Sequence, residues 1–103
     1  MQAEGIKLAI EAHRCAKPYC MGTLYWQLND CWPVTSWSSV DYYGTPKALQ
    51  YAARKAYSKY LVSAQNDNGM LRIYIVSDDT ARLDAQLKYT LSDFDGNILR
   101  ADS

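Results

Sequence analysis

The stretch that decides the fold lies at residues 22–37 and reads GTLYWQLNDCWPVTSW. Its first half is apolar on both faces apart from the last few positions, which is typical of a strand buried inside a parallel sheet. Polar side chains then gather where the apolar run ends, and the chain continues in a loop as far as Trp37. The pattern predicts a buried strand over residues 22–29 with a polar loop at its carboxyl end.

All three tryptophans of the chain fall within this stretch, at positions 26, 32 and 37. Indole rings beside Asn29 and Asp30 suit a pyranose, because a sugar ring offers apolar C–H faces to an aromatic platform and hydroxyl groups to amides and carboxylates. One alternative is that the tryptophans pack in the core. Another is that Asp30 holds the loop by bonding to its backbone. The candidate substrate-binding residues are Trp26, Asn29, Asp30 and Trp32.

Helical periodicity flanks the stretch on both sides. Apolar residues recur at helical spacing from residue 2 to residue 16, and Pro18 ends the pattern. Thr45 and Pro46 supply an N-cap and a first helical proline before a second periodic run. The sequence therefore predicts helices over residues 3–16 and 46–60. Helix, strand, long loop and helix in this order are typical of an α/β barrel, whose active site lies at the carboxyl ends of the strands.

After residue 61 the pattern changes to that of antiparallel strands. Residues 70–76 and 82–91 alternate in polarity, and Asp95-Gly96 predicts a hairpin into residues 98–99. We therefore expect strands near 70–76 and 82–91 that belong to a partial immunoglobulin-like sandwich. Residues 1–60 would form the end of one domain and residues 61–103 the start of the next. The alternative is a small α+β domain with one sheet under two helices.

Composition narrows the partners and cofactors. Eleven basic and eleven acidic residues cancel in charge, which argues against nucleic acid and anionic membranes as partners. No apolar stretch is long enough to cross a bilayer. The three cysteines lack CxxC spacing and the chain has one histidine, so we expect free thiols and no metal site. Neither a serine triad nor a phosphate loop is indicated, and no cofactor is expected.

One run of residues resembles a known family. It comprises MGTLYWQLNDCWP at 21–33, followed by SWSS at 36–39 and DYYG at 41–44 before Lys47. The run closely resembles the β-mannosidases of glycoside hydrolase family 2, over residues 2–60. Residues 61–103 resemble, by pattern alone, the immunoglobulin-like domain that follows the barrel in those enzymes. The resemblance implies that residues 22–30 are the last strand of a (β/α)8 barrel, between its seventh and eighth helices.

The resemblance also implies an activity. Members of this family are retaining enzymes that remove terminal β-D-mannose, which makes a β-mannoside, mannan or N-glycan oligosaccharide the expected substrate. Their two catalytic glutamates lie about 5–5.5 Å apart across the scissile bond. The chain contains only Glu4 and Glu11, on one predicted helix, so the catalytic pair is expected in the rest of the parent polypeptide. The alternatives are a related β-galactosidase or β-glucuronidase, a non-catalytic carbohydrate-binding module, or a structural junction domain. A periplasmic, secreted or lysosomal parent is compatible with the resemblance.

Overall fold

The computed structural model describes all residues 1–103 and contains two helices and two separate antiparallel sheets. Each sheet has two strands, so that β1 pairs with β2 and β3 pairs with β4. This content is that of a small α+β domain. The elements are α1 Gln2–Cys15, α2 Ala48–Ala56, β1 Tyr60–Asp67, β2 Met70–Ser77, β3 Tyr89–Ser92 and β4 Ile98–Asp102.

The core lies between the two helices. Ile10 of α1 packs against Leu49, Ala53 and Ala56 of α2, and these four side chains form one buried cluster. The α2 members are four and three residues apart, which places them on one helix face. Two of them are alanines, which lets the helices approach closely. The prediction of a helix over residues 3–16 is confirmed by α1, and both helices owe their stability to this shared apolar face.

Helix α2 is shorter than the predicted 46–60. Its N-cap is Lys47, which has an extended backbone and no side-chain cap, so the prediction that Thr45 caps the helix is wrong. Pro46 instead forms an antiparallel bridge with Val40. At the other end Tyr57 closes the helix and β1 begins at Tyr60. The predicted helix is therefore shortened at both ends, by the bridge of Pro46 before it and by strand β1 after it.

The prediction of a strand over residues 22–29 is wrong for this chain. These residues are irregular, apart from an isolated parallel bridge between Asn29 and Val40. A buried parallel strand needs a hydrogen-bonded neighbour along its whole length, and the chain places only residues 39 and 40 beside it. Apolarity on both faces therefore does not produce a strand here.

The first hairpin consists of β1 and β2, of which the sequence predicts only β2. Strand β2 confirms the prediction for residues 70–76, but its partner is β1, which the sequence patterns did not indicate. The two strands are joined by Asn68 and Gly69, whose φ angles of +52° and +84° are those of a tight hairpin turn. The Asn-Gly pair is the signal that could have revealed β1, because this dipeptide between alternating residues favours a hairpin.

The second hairpin is shorter than expected. Only Tyr89–Ser92 of the predicted strand 82–91 is a strand, and it pairs with Ile98–Asp102. The hairpin at Asp95-Gly96 is confirmed. Residues 82–88 are without regular structure, and Leu83 is 46% exposed. The prediction is wrong for those residues because nothing in the chain pairs with them or covers their apolar face. The expected single sheet of the α+β alternative is likewise replaced by two hairpins.

We expect Gly69→Ala to destabilise the first hairpin by about 1 kcal/mol, because an L-residue is strained at positive φ. No atom lies within 4 Å of the added Cβ, so backbone strain is the whole effect. Gly22→Ala is the matched control, since Gly22 also has open space around it and no positive φ. Hydrogen exchange of the β1 and β2 amides measures the change, and equal protection in the two variants would contradict it.

The chain exposes more surface than a self-contained domain of its mass. Its accessible surface is 8315 Å², whereas a monomer of 11.7 kDa is expected to expose about 5,900 Å². The radius of gyration is 16.7 Å, against roughly 13 Å for a compact domain of about 100 residues. The helix pair and the hairpins therefore keep faces that the chain does not cover. No helix is both long and apolar enough to cross a membrane.

Candidate functional site

Residues 31–37 form a loop, which we call the aromatic loop. Its two ends are joined by hydrogen bonds between Leu28, Asp30 and Val40, which form the neck of the loop. The N–H of Val40 donates to the carbonyl of Leu28 at 2.8 Å, and the N–H of Asp30 donates to the carbonyl of Val40 at 3.3 Å. These hydrogen bonds hold the two ends of the loop side by side. The aromatic loop therefore leaves the body of the chain at one point, with Trp32 and Trp37 on it.

Asp30 is the buried anchor of the aromatic loop and is only 5% exposed. Its carboxylate accepts hydrogen bonds from Ser36 Oγ at 2.5 Å, Ser38 Oγ at 2.7 Å and Lys47 Nζ at 3.3 Å. The bonds from Ser36 and Ser38, together with the nearby Lys47, hold the pKa of Asp30 below its usual range, although burial acts in the opposite direction. Asp30 is thus a carboxylate that closes the loop from inside.

The tryptophans lie at the surface. Trp26 is 73% exposed, and Trp32 and Trp37 are each 61% exposed, so the chain does not bury them as core residues. Trp37 stands between two serines whose side chains both point to Asp30. While those serines turn inward, the indole of Trp37 stays exposed. The chain therefore presents three indoles to its surroundings.

The two polar candidates are placed differently. Asn29 is exposed, and its side-chain amide makes one long contact of 3.4 Å, to the carbonyl oxygen of Asp30. Asp30 holds the loop, as the sequence left open, but it does so through side chains of Ser36, Ser38 and Lys47 rather than through backbone amides. Sequence reasoning missed Lys47, Ser36 and Ser38 as partners of Asp30. The signal that could have found them is the pair of serines on either side of Trp37.

The two glutamates of the chain are both engaged within it. Glu4 lies 3.7 Å from Lys7 Nζ on α1. Glu11 accepts a hydrogen bond from Ser63 Oγ of β1 at 2.8 Å. No group of three His, Cys, Asp or Glu side chains is arranged to hold a metal ion. The cysteines are free thiols, with Cys15 and Cys20 half-buried and Cys31 exposed on the aromatic loop.

No tryptophan lines the three main cavities, although the third is lined by Tyr25 and Leu28 near Trp26. They measure about 210, 370 and 320 Å³. The first contains His13, Arg14, Lys17 and Asp78. The aromatic loop is therefore an open surface, which becomes part of a pocket only if another surface faces it.

Arg14 ties the helix pair to the first hairpin. Its guanidinium is buried and donates to the carbonyl of Ala56, the last residue of α2, at 2.5 Å and to that of Ser58, just after the helix, at 2.7 Å. It also donates to Asp78, just after β2, at 2.8 Å. A hydrogen bond from Lys17, with the charge of Arg14, holds the pKa of Asp78 below its usual range. This contact fixes how the chain passes from α2 into the strands.

The chain is similar to β-mannosidases of several organisms. No protein-family model matches it. It is 42% identical over 85 residues to the β-mannosidase of Capra hircus, in an alignment that covers 76% of this chain and 10% of that protein. It is 56% identical over 39 residues to β-mannosidase B of Thermothelomyces thermophilus, covering 38% of this chain and 5% of that protein.

A solved β-mannosidase structure is also similar to the chain. The crystal structure of the β-D-mannosidase from Dictyoglomus thermophilum matches with a TM-score of 0.72 and 39% identity, over 74% of this chain and 9% of that one. The chain spans about a tenth of the length of the relatives it matches most extensively. By sequence and by fold, the chain corresponds to a segment of the β-mannosidases.

Proposed function

We propose that this chain is a segment of a retaining exo-β-mannosidase of glycoside hydrolase family 2, and that residues 22–37 form part of the site that holds the terminal mannose. The observation that carries the proposal is the match to β-mannosidases, at up to 56% identity, in a chain that turns three indoles outward. Exposed aromatic rings are costly to leave in water, and a sugar face is a suitable partner for them.

Each candidate residue has a distinct part in this proposal. Trp26 or Trp32 is the aromatic platform for the sugar ring. Asn29 is exposed and has amide groups that suit a sugar hydroxyl. Asp30 already accepts three side-chain hydrogen bonds, so its part is to hold the loop that carries Trp32.

The bond-breaking carboxylates belong elsewhere in the parent polypeptide. A retaining glycosidase needs two carboxyl groups about 5–5.5 Å apart across the scissile bond. Glu4 and Glu11 are on one helix, seven positions apart, and each has a partner within the chain. The segment therefore contributes to sugar binding, while the nucleophile and the acid/base come from other strands. Neither a cofactor nor a metal is needed for this reaction.

The domain assignment is part of the same proposal. Residues 1–60 would form the end of a (β/α)8 barrel, and residues 61–103 the first strands of an immunoglobulin-like sandwich. The outward face of the first hairpin supports the assignment of residues 61–103 to a sandwich. On that face Val62 pairs with Ile75 and Ala64 with Ile73. Val62 and Ile75 are 56% and 60% exposed. An apolar sheet face of this kind is suited to packing against a second sheet, supplied by the rest of the polypeptide.

The test compares the full-length parent polypeptide with this chain alone. We expect the full-length polypeptide to hydrolyse an aryl β-mannoside with retention at the anomeric carbon, followed by NMR. The chain alone should show no turnover above a buffer blank, because it lacks the carboxylate pair. Aryl β-galactoside and β-glucuronide are the matched substrates. Faster turnover of either one by the full-length polypeptide, or any turnover by the chain alone, would contradict the proposal.

A carbohydrate-binding module is the second candidate. The observation that favours it is the exposure of three indoles in a chain without a usable carboxylate pair. The two candidates differ in what the full-length polypeptide does with a mannan oligosaccharide. Binding measured by calorimetry without any release of mannose would identify the binding module and exclude the mannosidase.

A further inference from the structure

Lys47 lies outside the aromatic loop, at the N-cap of α2, yet its ammonium group reaches the loop's anchor. Its Nζ is 3.3 Å from Asp30 Oδ2 and 2.7 Å from Ser38 Oγ. Its own backbone N–H donates to the carbonyl of Ser39 at 2.8 Å. Lys47 is therefore bound at both its main chain and its side chain to the segment that closes the aromatic loop.

Asp30, Ser38 and Lys47 form a largely buried polar cluster. Because the cluster is buried, the charge of Lys47 is needed to compensate that of Asp30. The side chain of Asp30 is 2% exposed and that of Lys47 is 27% exposed, so the pair lies largely out of water. Removing one member of a buried ion pair leaves an uncompensated charge, which is strongly unfavourable. Ser38 is fully buried and would also lose a hydrogen-bond donor. Without Lys47, the carboxylate would have to take up water, which requires the neck of the loop to open.

Opening the neck would change the aromatic surface. Ser36 and Ser38 are bound to the two oxygens of the same carboxylate, and Trp37 lies between them. The carbonyl of Trp37 also accepts a hydrogen bond from Gln2 Nε2 at 2.6 Å. The orientation of this indole, and the path of the loop that carries Trp32, therefore depend on the closed cluster.

We propose that Lys47 is a positioning residue for the sugar site. Through its ion pair with Asp30 and its hydrogen bond to Ser38, it holds the aromatic loop in one conformation and so determines how tightly the terminal sugar is bound. The inference rests on the proposed function and goes beyond it by assigning a role to a residue that does not contact the sugar. A loop that is no longer held in one conformation binds the sugar more weakly in the ground state and the transition state alike, so loosening it raises KM more than it lowers kcat.

The experiment uses Lys47→Met in the full-length polypeptide, with an aryl β-mannoside as substrate. We expect KM to rise roughly tenfold while kcat changes less than about threefold. Hydrogen exchange in the peptide that covers residues 31–37 should become faster. Lys47→Arg keeps a positive charge that can donate to Asp30, so we expect it to retain KM within about threefold of the wild type. Lys55→Met is the matched control, because Lys55 is an exposed lysine of α2 and should leave KM unchanged.

The double variant Asp30→Asn with Lys47→Met removes both charges, so it guards against misfolding caused by an unpaired buried carboxylate. It should fold and show the same rise in KM. An unchanged KM in Lys47→Met or in the double variant would overturn the inference. A KM as high in Lys47→Arg as in Lys47→Met would also overturn it. These outcomes require an active wild type. A wild type without β-mannoside hydrolysis would instead refute the proposed function, and the inference with it.

Discussion

Replacing Trp26 by alanine in the full-length polypeptide is expected to lower kcat/KM for β-mannosides by about 2–4 kcal/mol, roughly thirty- to nine-hundred-fold. The expected loss follows from the proposed role of the indole as a rigid apolar wall beside the mannose. Such a wall supports the ring as it distorts toward an oxocarbenium-like transition state. Kinetics normalised by active-site titration measure the change per folded enzyme.

The alternative role for Trp26 makes a different forecast. If the indole packs the core of the parent, the variant should lose about 3–5 kcal/mol of folding stability and keep near-normal kinetics per folded site. In this chain Trp26 is 73% exposed, so the residues present here do not bury it. Tyr51→Ala is a suitable control, because Tyr51 is an exposed aromatic residue on α2 at 63%. Normal kcat/KM in Trp26→Ala would refute the sugar-wall role.

The second large effect is expected in the core. Leu49→Ala should destabilise the packing of α1 against α2 by about 3 kcal/mol, within the range of about 2–5 kcal/mol that buried leucines show. Leu49 is 1% exposed and belongs to the only apolar cluster that is fully inside the chain. With so small a core, little can move in to fill the space that the substitution leaves. Hydrogen exchange of the α1 and α2 amides reports the loss.

Leu8→Ala provides the matched control for this prediction. Leu8 is on α1 but is 68% exposed, so the same substitution removes little buried area. Its expected effect is within about 0.5 kcal/mol, as for other surface substitutions. If Leu8→Ala and Leu49→Ala changed amide protection equally, the helix pair would not be the core that stabilises the chain.

The predictions that held depend on local information. Helix α1 could be predicted because Ile6 and Ile10 follow the helical period, and α1 packs these two residues against α2, although Ala9 and His13 of the predicted face are exposed. The hairpin at Asp95-Gly96 could be predicted because its turn needs a residue that tolerates positive φ, and Gly96 has a φ of +89°. In both cases the residues that determine the element lie within it.

The predictions that failed depend on partners distant in sequence. An apolar run such as residues 22–29 has the composition of a buried strand, but a strand also needs neighbours, and this chain supplies only a short contact at residues 39–40. The same reason shortens the strand predicted over residues 82–91. Tertiary pairing also explains α2, which begins after Pro46 because Pro46 bridges to Val40.

The candidate site shows the same division. The three tryptophans could be singled out from sequence because they cluster, and they lie at the surface. The loop-holding role of Asp30 could not be separated from a sugar-binding role, since it depends on Lys47, seventeen positions away. A buried ion pair between distant residues leaves no periodic signal in the sequence. The serines on either side of Trp37 are visible in the sequence, but their bonds to Asp30 depend on the fold of the loop.

The central claim is that the aromatic residues of this segment hold a mannose in a β-mannosidase. The measurement that tests it most directly is a crystal structure of the full-length polypeptide with mannose bound. We predict that the indole of Trp26 or Trp32 lies against the sugar ring, with carbon atoms about 4 Å apart, and that two glutamates from outside this segment flank the anomeric carbon. A mannose bound with no tryptophan of residues 22–37 in contact with it would contradict the account.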